Sequence, residues 1–122
     1  MNIFKVESPF DYIYQVKDKP SIFFGERKSL AYINYYIIGF AMGRKETNLG
    51  IDKLTEKFLL LPYGGFQEFV SKKFNNMNDV VSQSWYNIIE FMTFSPEDAF
   101  NLFYDLLDEF FENSNLKFES NR

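Results

Sequence analysis

The sequence contains no cysteine and no histidine. Without cysteine there is no disulfide framework, no thiolate nucleophile and no Cys-based zinc site. Without histidine the chain lacks the side chain most often used as a base or metal ligand near neutral pH. Glycine and proline are sparse, with 6 and 4 residues, and there is one Trp. What the chain has in quantity is aromatic side chains, 20% of all residues, including 16 Phe. Rings supply core volume and contact anchors and do little acid–base work. This composition suits a binding protein better than an enzyme.

At 122 residues the chain is long enough for one domain and too short for two comfortable ones. Its 46% hydrophobic and 25% charged content matches ordinary globular proteins and differs from a disordered chain. The start, Met1-Asn2-Ile3-Phe4-Lys5-Val6-Glu7, is charged within a few residues and has no continuous apolar core of the signal-peptide kind. The longest charge-free stretch near the front, Ser29 to Gly43, falls short of the ~18 apolar residues that span a bilayer. A reducing, cytoplasmic location is the expectation. The net charge of -4 is uneven: residues 1–61 carry nine Lys/Arg against seven Asp/Glu, and residues 62–122 carry four against ten. The acidic half would repel a phosphate backbone and attract a basic partner.

Periodicity and capping signals predict a mainly α, single-domain fold of five or six helices. Ser8-Pro9-Phe10-Asp11 combines an N-cap Ser, a Pro at the first helical position and an acid in the first turn, predicting a helix from Pro9 to Lys17. Pro20 disfavours helix at Lys19, so Lys19 to Gly25 is expected to be extended or turned. Between Ser29 and Gly43, Leu30, Ile33, Ile37, Phe40 and Ala41 share one helical face, and Ala31, Tyr35, Ile38 and Met42 share another. A helix apolar nearly all round is expected at the centre of a fold. Strand is the alternative for Tyr32 to Ile38, and the length of the run favours helix. Thr47-Asn48-Leu49-Gly50 reads as a turn, followed by a short helix within Asp52 to Leu61 or a buried strand over Phe58 to Leu61.

Phe66, Phe69, Val70 and Phe74 recur at helical spacing after Gly64-Gly65, and Asn75 to Asp79 forms a polar break. Val81, Trp85, Ile88, Ile89 and Met92 then trace an amphipathic helix. Ser95-Pro96-Glu97-Asp98 repeats the start signal of Ser8 and opens a last helix to about Asn113. Its core stripe is Ala99, Phe103, Leu106, Leu107, Phe110 and Phe111, and its opposite side carries Asn101, Tyr104, Asp105, Asp108 and Glu112. From Ser114 the tail, residues 114–122, is expected to fray.

No nucleotide-binding or nucleophile-elbow glycine motif occurs. No catalytic, cofactor-binding or metal-ligating residue is assigned. Gly64-Gly65 before a helix could cradle an anion, but ordinary turn chemistry is much the better explanation. The adjacent carboxylates Glu97/Asp98 and Asp108/Glu109 point in different directions around a helix and do not converge on one atom, as an acid–base pair must. Trp85 lies on an apolar stripe and reads as core. The rings lack the interleaved Lys/Arg of a single-stranded nucleic-acid surface, so nucleic acid is not an expected partner. Asp105, Asp108, Glu109 and Glu112 fall within eight residues with no cation among them. Like charges at i and i+4 cost a few tenths of a kcal/mol, which a basic partner would relieve, although a solvated face explains them too. With Glu97, Asp98 and Tyr104 they form the candidate partner-facing set.

Several blocks together resemble a known family. Asp18-Lys19-Pro20-Ser21-Ile22-Phe23-Phe24-Gly25 precedes Ser29-Leu30 and an apolar helix ending Gly39-Phe40. Phe66-Gln67-Glu68-Phe69-Val70, Ser84-Trp85-Tyr86-Asn87-Ile88-Ile89 and Asp98 to Phe110 follow in order. This arrangement is similar to immunity proteins of contact-dependent growth inhibition and related bacterial polymorphic toxin systems. The blocks cover about half of the chain; residues 44 to 62 have no counterpart. The resemblance implies a role, neutralising a cognate toxin domain in a tight complex, and carries over no contact surface. An acidic inhibitor suits a basic nuclease toxin. A regulatory or adaptor module binding another protein or a small apolar ligand is the alternative, and an enzyme using Asp/Glu and Tyr stands third.

Overall fold

The computed structural model describes residues 7–18, 29–75 and 83–118, and among these the secondary structure is helical, with no strand. Among the described residues there are six helices: α1 (Pro9–Gln15), α2 (Ala31–Glu46), α3 (Lys53–Phe58), α4 (Phe66–Asn75), α5 (Trp85–Phe91) and α6 (Pro96–Asn113). The expectations for Lys19 to Gly25, for the polar break beyond Asn75 and for Val81 fall outside the described residues.

Three of the helix starts follow polar caps in the sequence. At α1 the Ser8 hydroxyl accepts from Phe10 N–H at 3.2 Å while the Asp11 carboxylate accepts from Ser8 N–H at 3.1 Å, a closed capping box. Ser95 accepts from Asp98 N–H at 3.1 Å to open α6. Asp52 accepts from Thr55 N–H and from the buried Thr55 hydroxyl, which starts α3 as a helix and settles the helix-or-strand ambiguity there. Two helices end on asparagine. Asn48 and Asn115 adopt φ of 59° and 58°, and the next residues, Leu49 and Leu116, donate back to the Arg44 and Phe111 carbonyls at 2.9 Å. Both are Schellman endings with Asn in the left-handed position usually held by Gly.

The core is a ring cluster. Phe66, fully buried at the start of α4, contacts Phe58 of α3, Trp85 of α5 and both Phe103 and Phe110 of α6, with centroids 4.7 to 5.9 Å apart. Phe10 of α1 joins it through Phe58 and Phe111. The backbone brings α4 tightly against the preceding loop. A Cβ on Gly65 would lie 2.1 Å from the Leu60 carbonyl oxygen, so this position requires glycine. Gly64, at φ 90°, makes the turn itself.

Three expectations are corrected. The apolar helix starting at Leu30 is not central: Leu30, Ile33, Ile37 and Ala41 are buried, but Tyr35 and Met42 are each 59% exposed and Ile38 also faces out. The central helix is α6, because two adjacent stripes are buried there, Ala99/Phe103/Leu106/Phe110 and Phe100/Tyr104/Leu107/Phe111. Met92 lies beyond the last turn of α5 and is exposed, so the stripe of that helix stops at Ile89. The tail expected to fray over 114–122 is packed as far as Phe118: the Schellman turn at Asn115 redirects the chain, Leu116 is half-buried, and Phe118 stacks on Tyr14 with centroids 4.5 Å apart, while residues 119–122 lie outside the described residues.

Candidate functional site: an acidic ridge and its aromatic end

The third stripe of α6, Asn101/Asp105/Asp108/Glu112, faces out, as its spacing predicts. An 18-residue helix is about 27 Å long, so the carboxylates lie along a ridge whose other two stripes are held in the core. Glu97 and Asp98 are exposed in the first turn, where the helix dipole favours them. Asp105 and Glu112 are exposed along the ridge.

Two members are engaged within the fold. The Tyr14 hydroxyl donates to Asp108 at 2.7 Å, tying α1 to α6. Burial, the bond to Asp108 and that carboxylate's charge all hold the Tyr14 phenol well above its usual pKa, keeping the donor protonated. Glu109 is half-exposed and pairs with Lys73 of α4. The charge expected to lack any cation is therefore partly balanced from a neighbouring helix, which no count along α6 could show.

Tyr104 is corrected. It was expected on the polar side, but it is 2% exposed, and its hydroxyl donates to the Ile13 carbonyl at 2.6 Å. The ring packs beside Phe103 while the polar tip satisfies an otherwise internal acceptor. Burial, followed by the nearby Asp18 charge, raises its pKa above the ordinary tyrosine value. Tyr104 is a structural link between α1 and α6 and presents no surface to a partner. Glu97, Asp98, Asp105 and Glu112 remain as outward-facing members of the set.

Sequence reasoning missed a second feature. Phe91, at the end of α5, is 88% exposed, and Phe94, one residue before the α6 N-cap, is fully exposed. Phe91 and Met92 also line a recess of about 450 Å³ together with Phe74 and Ile88. Exposed phenylalanines at the junction of two helices give no periodic signal, because periodicity reports only the buried side. A further apolar surface runs along α2, where Tyr35 meets Tyr86 of α5 at 6.5 Å and Ile38 shares a shallow groove with Leu61.

Among the described residues no cluster of acidic side chains is placed to hold a metal ion, and no helix is long and apolar enough to cross a membrane. Comparison with protein-family models, with curated proteins and with solved structures finds no match for this chain.

Proposed function

We propose that the protein is an immunity protein: it binds a cognate bacterial toxin domain, a basic nuclease, and neutralises it in a tight stoichiometric complex in the cytoplasm. The observation that carries this reading is the ridge on α6. Its outward charge is acidic, and it is fixed on the helix that is buried on two stripes, so binding requires little ordering of the inhibitor. A nuclease groove is basic where it holds phosphates, and a rigid row of carboxylates offers a competing surface of the same sign as the substrate backbone. The action is steric and electrostatic, with no bond made or broken by this chain. The order of sequence blocks from Asp18 to Phe110 that resembles immunity proteins supports the same reading.

An immunity gene of this kind directly follows its toxin gene. The purified protein, mixed with the C-terminal domain encoded by the adjoining upstream gene, is expected to form a 1:1 complex by light scattering and to abolish that domain's nucleic-acid cleavage. Separate elution of the two proteins, with cleavage undiminished, would remove the proposal.

A further inference from the structure

The segment joining α5 to α6 presents large apolar side chains to water in a way the fold does not need. Phe91 is mostly exposed, Phe94 wholly so, and Met92 about half. Scattered single apolar residues are ordinary on a surface; three within four positions, beside an apolar recess, form a patch. Among the described residues the recess is lined by Phe74, Ile88, Phe91 and Met92 with the amides of Gln83 and Asn87. The exposed charges that follow Phe94 in the chain are acidic, whereas Lys72 and Lys73 precede Phe74 on α4. From Phe74 to Leu116 the sequence contains no Lys or Arg and eight Asp/Glu. Glu97 and Asp98, both exposed, follow Phe94 by three and four residues.

From this juxtaposition we infer that Phe91 and Phe94, with the recess behind Phe91, are the anchor of the toxin interface, and that the occupant is a basic protein surface carrying apolar side chains. The inference rests on the proposed function and specifies its contact. Interfaces concentrate their energy in a few aromatic anchors surrounded by polar rims, and an aromatic patch beginning an acidic ridge has that anatomy. Charge selects the occupant. An acidic rim repels a second copy of this acidic chain and an anionic lipid surface, and attracts a cationic partner. The ridge then guides approach, and the rings govern how long the complex lasts.

Because both rings are in water, replacing them leaves the core untouched. The test compares wild type with Phe91→Gln/Phe94→Ser and with Phe94→Ser alone, using surface plasmon resonance against the purified domain encoded upstream, after thermal melts establish that the variants fold. The double variant is expected to bind about 30-fold more weakly or worse, through faster dissociation, with the single variant intermediate. If wild type binds and the double variant binds within about threefold of it, the anchor is elsewhere while the immunity reading stands. If wild type itself does not bind the domain, the reading fails and takes this inference with it. Analytical ultracentrifugation provides the last arm: a wild-type dimer that becomes monomeric in the double variant would make the patch a self-association surface and overturn the assignment.

Discussion

Trp85 shows how much of this fold depends on single rings. Its indole stacks on Phe103 with centroids 5.3 Å apart and meets Phe58 and Phe66 edge-on. The indole N–H donates to Asn34 of α2 at 3.1 Å, so one side chain joins α5 to four other helices. Removing a buried aromatic forfeits its transfer energy and leaves a cavity that the surrounding rings cannot close. Trp85→Ala is expected to cost roughly 3–5 kcal/mol, measured by urea denaturation; a loss under ~1 kcal/mol would place the indole outside the core. Tyr104 teaches the complementary lesson. At this scale the sequence distinguishes polar from apolar, but tyrosine is both, and only the Ile13 carbonyl within 2.6 Å decides that its hydroxyl is buried.

At the scale of elements, capping chemistry governs where helices begin. Ser95→Ala removes the acceptor for Asp98 N–H and is expected to destabilise the protein by about 1 kcal/mol, read as a shift in the urea midpoint at unchanged slope. An undisturbed midpoint would mean that water caps α6 equally well. The Ser-Pro-x-Asp signals at Ser8 and Ser95 located two helix starts from sequence because the cap is local: donor and acceptor lie within three residues. The end of α2 was legible as the turn read over Thr47 to Gly50. Asn48 ends it, although an Asn gives a weaker stop signal than the Gly that usually takes this conformation. Which helix is central was not legible. The run from Leu30 to Met42 is apolar on two faces, but burial requires a neighbour, and hydropathy contains no information on which face receives one. Helix α6, with acids on one stripe, is the better buried because two other stripes are almost wholly hydrocarbon. Of the candidate set, Glu97, Asp98, Asp105 and Glu112 were legible as outward-facing. The pairing of Glu109 with Lys73 and the exposure of Phe91 and Phe94 arise from tertiary packing and were not.

The whole molecule separates its two resources. Among the described residues most rings serve the core, to which all six helices contribute, and acidic charge accumulates along the outer edge of α6. That separation is what the proposed function uses: a stiff interior fixes the ridge, and the ridge draws a basic partner toward the exposed rings at its start. The central claim is that these outward carboxylates steer association, and it is tested most directly with Glu97→Gln/Asp105→Asn/Glu112→Gln. This variant leaves the Tyr14–Asp108 and Lys73–Glu109 contacts in place. Association with the purified upstream-encoded domain would be timed by surface plasmon resonance at two ionic strengths. Rim charges act mainly on the on-rate and are screened by salt, so the variant should associate roughly tenfold more slowly at low salt, with a flatter salt dependence. An on-rate and salt slope equal to those of the wild type would mean that the ridge is only solvated and has no part in recognition.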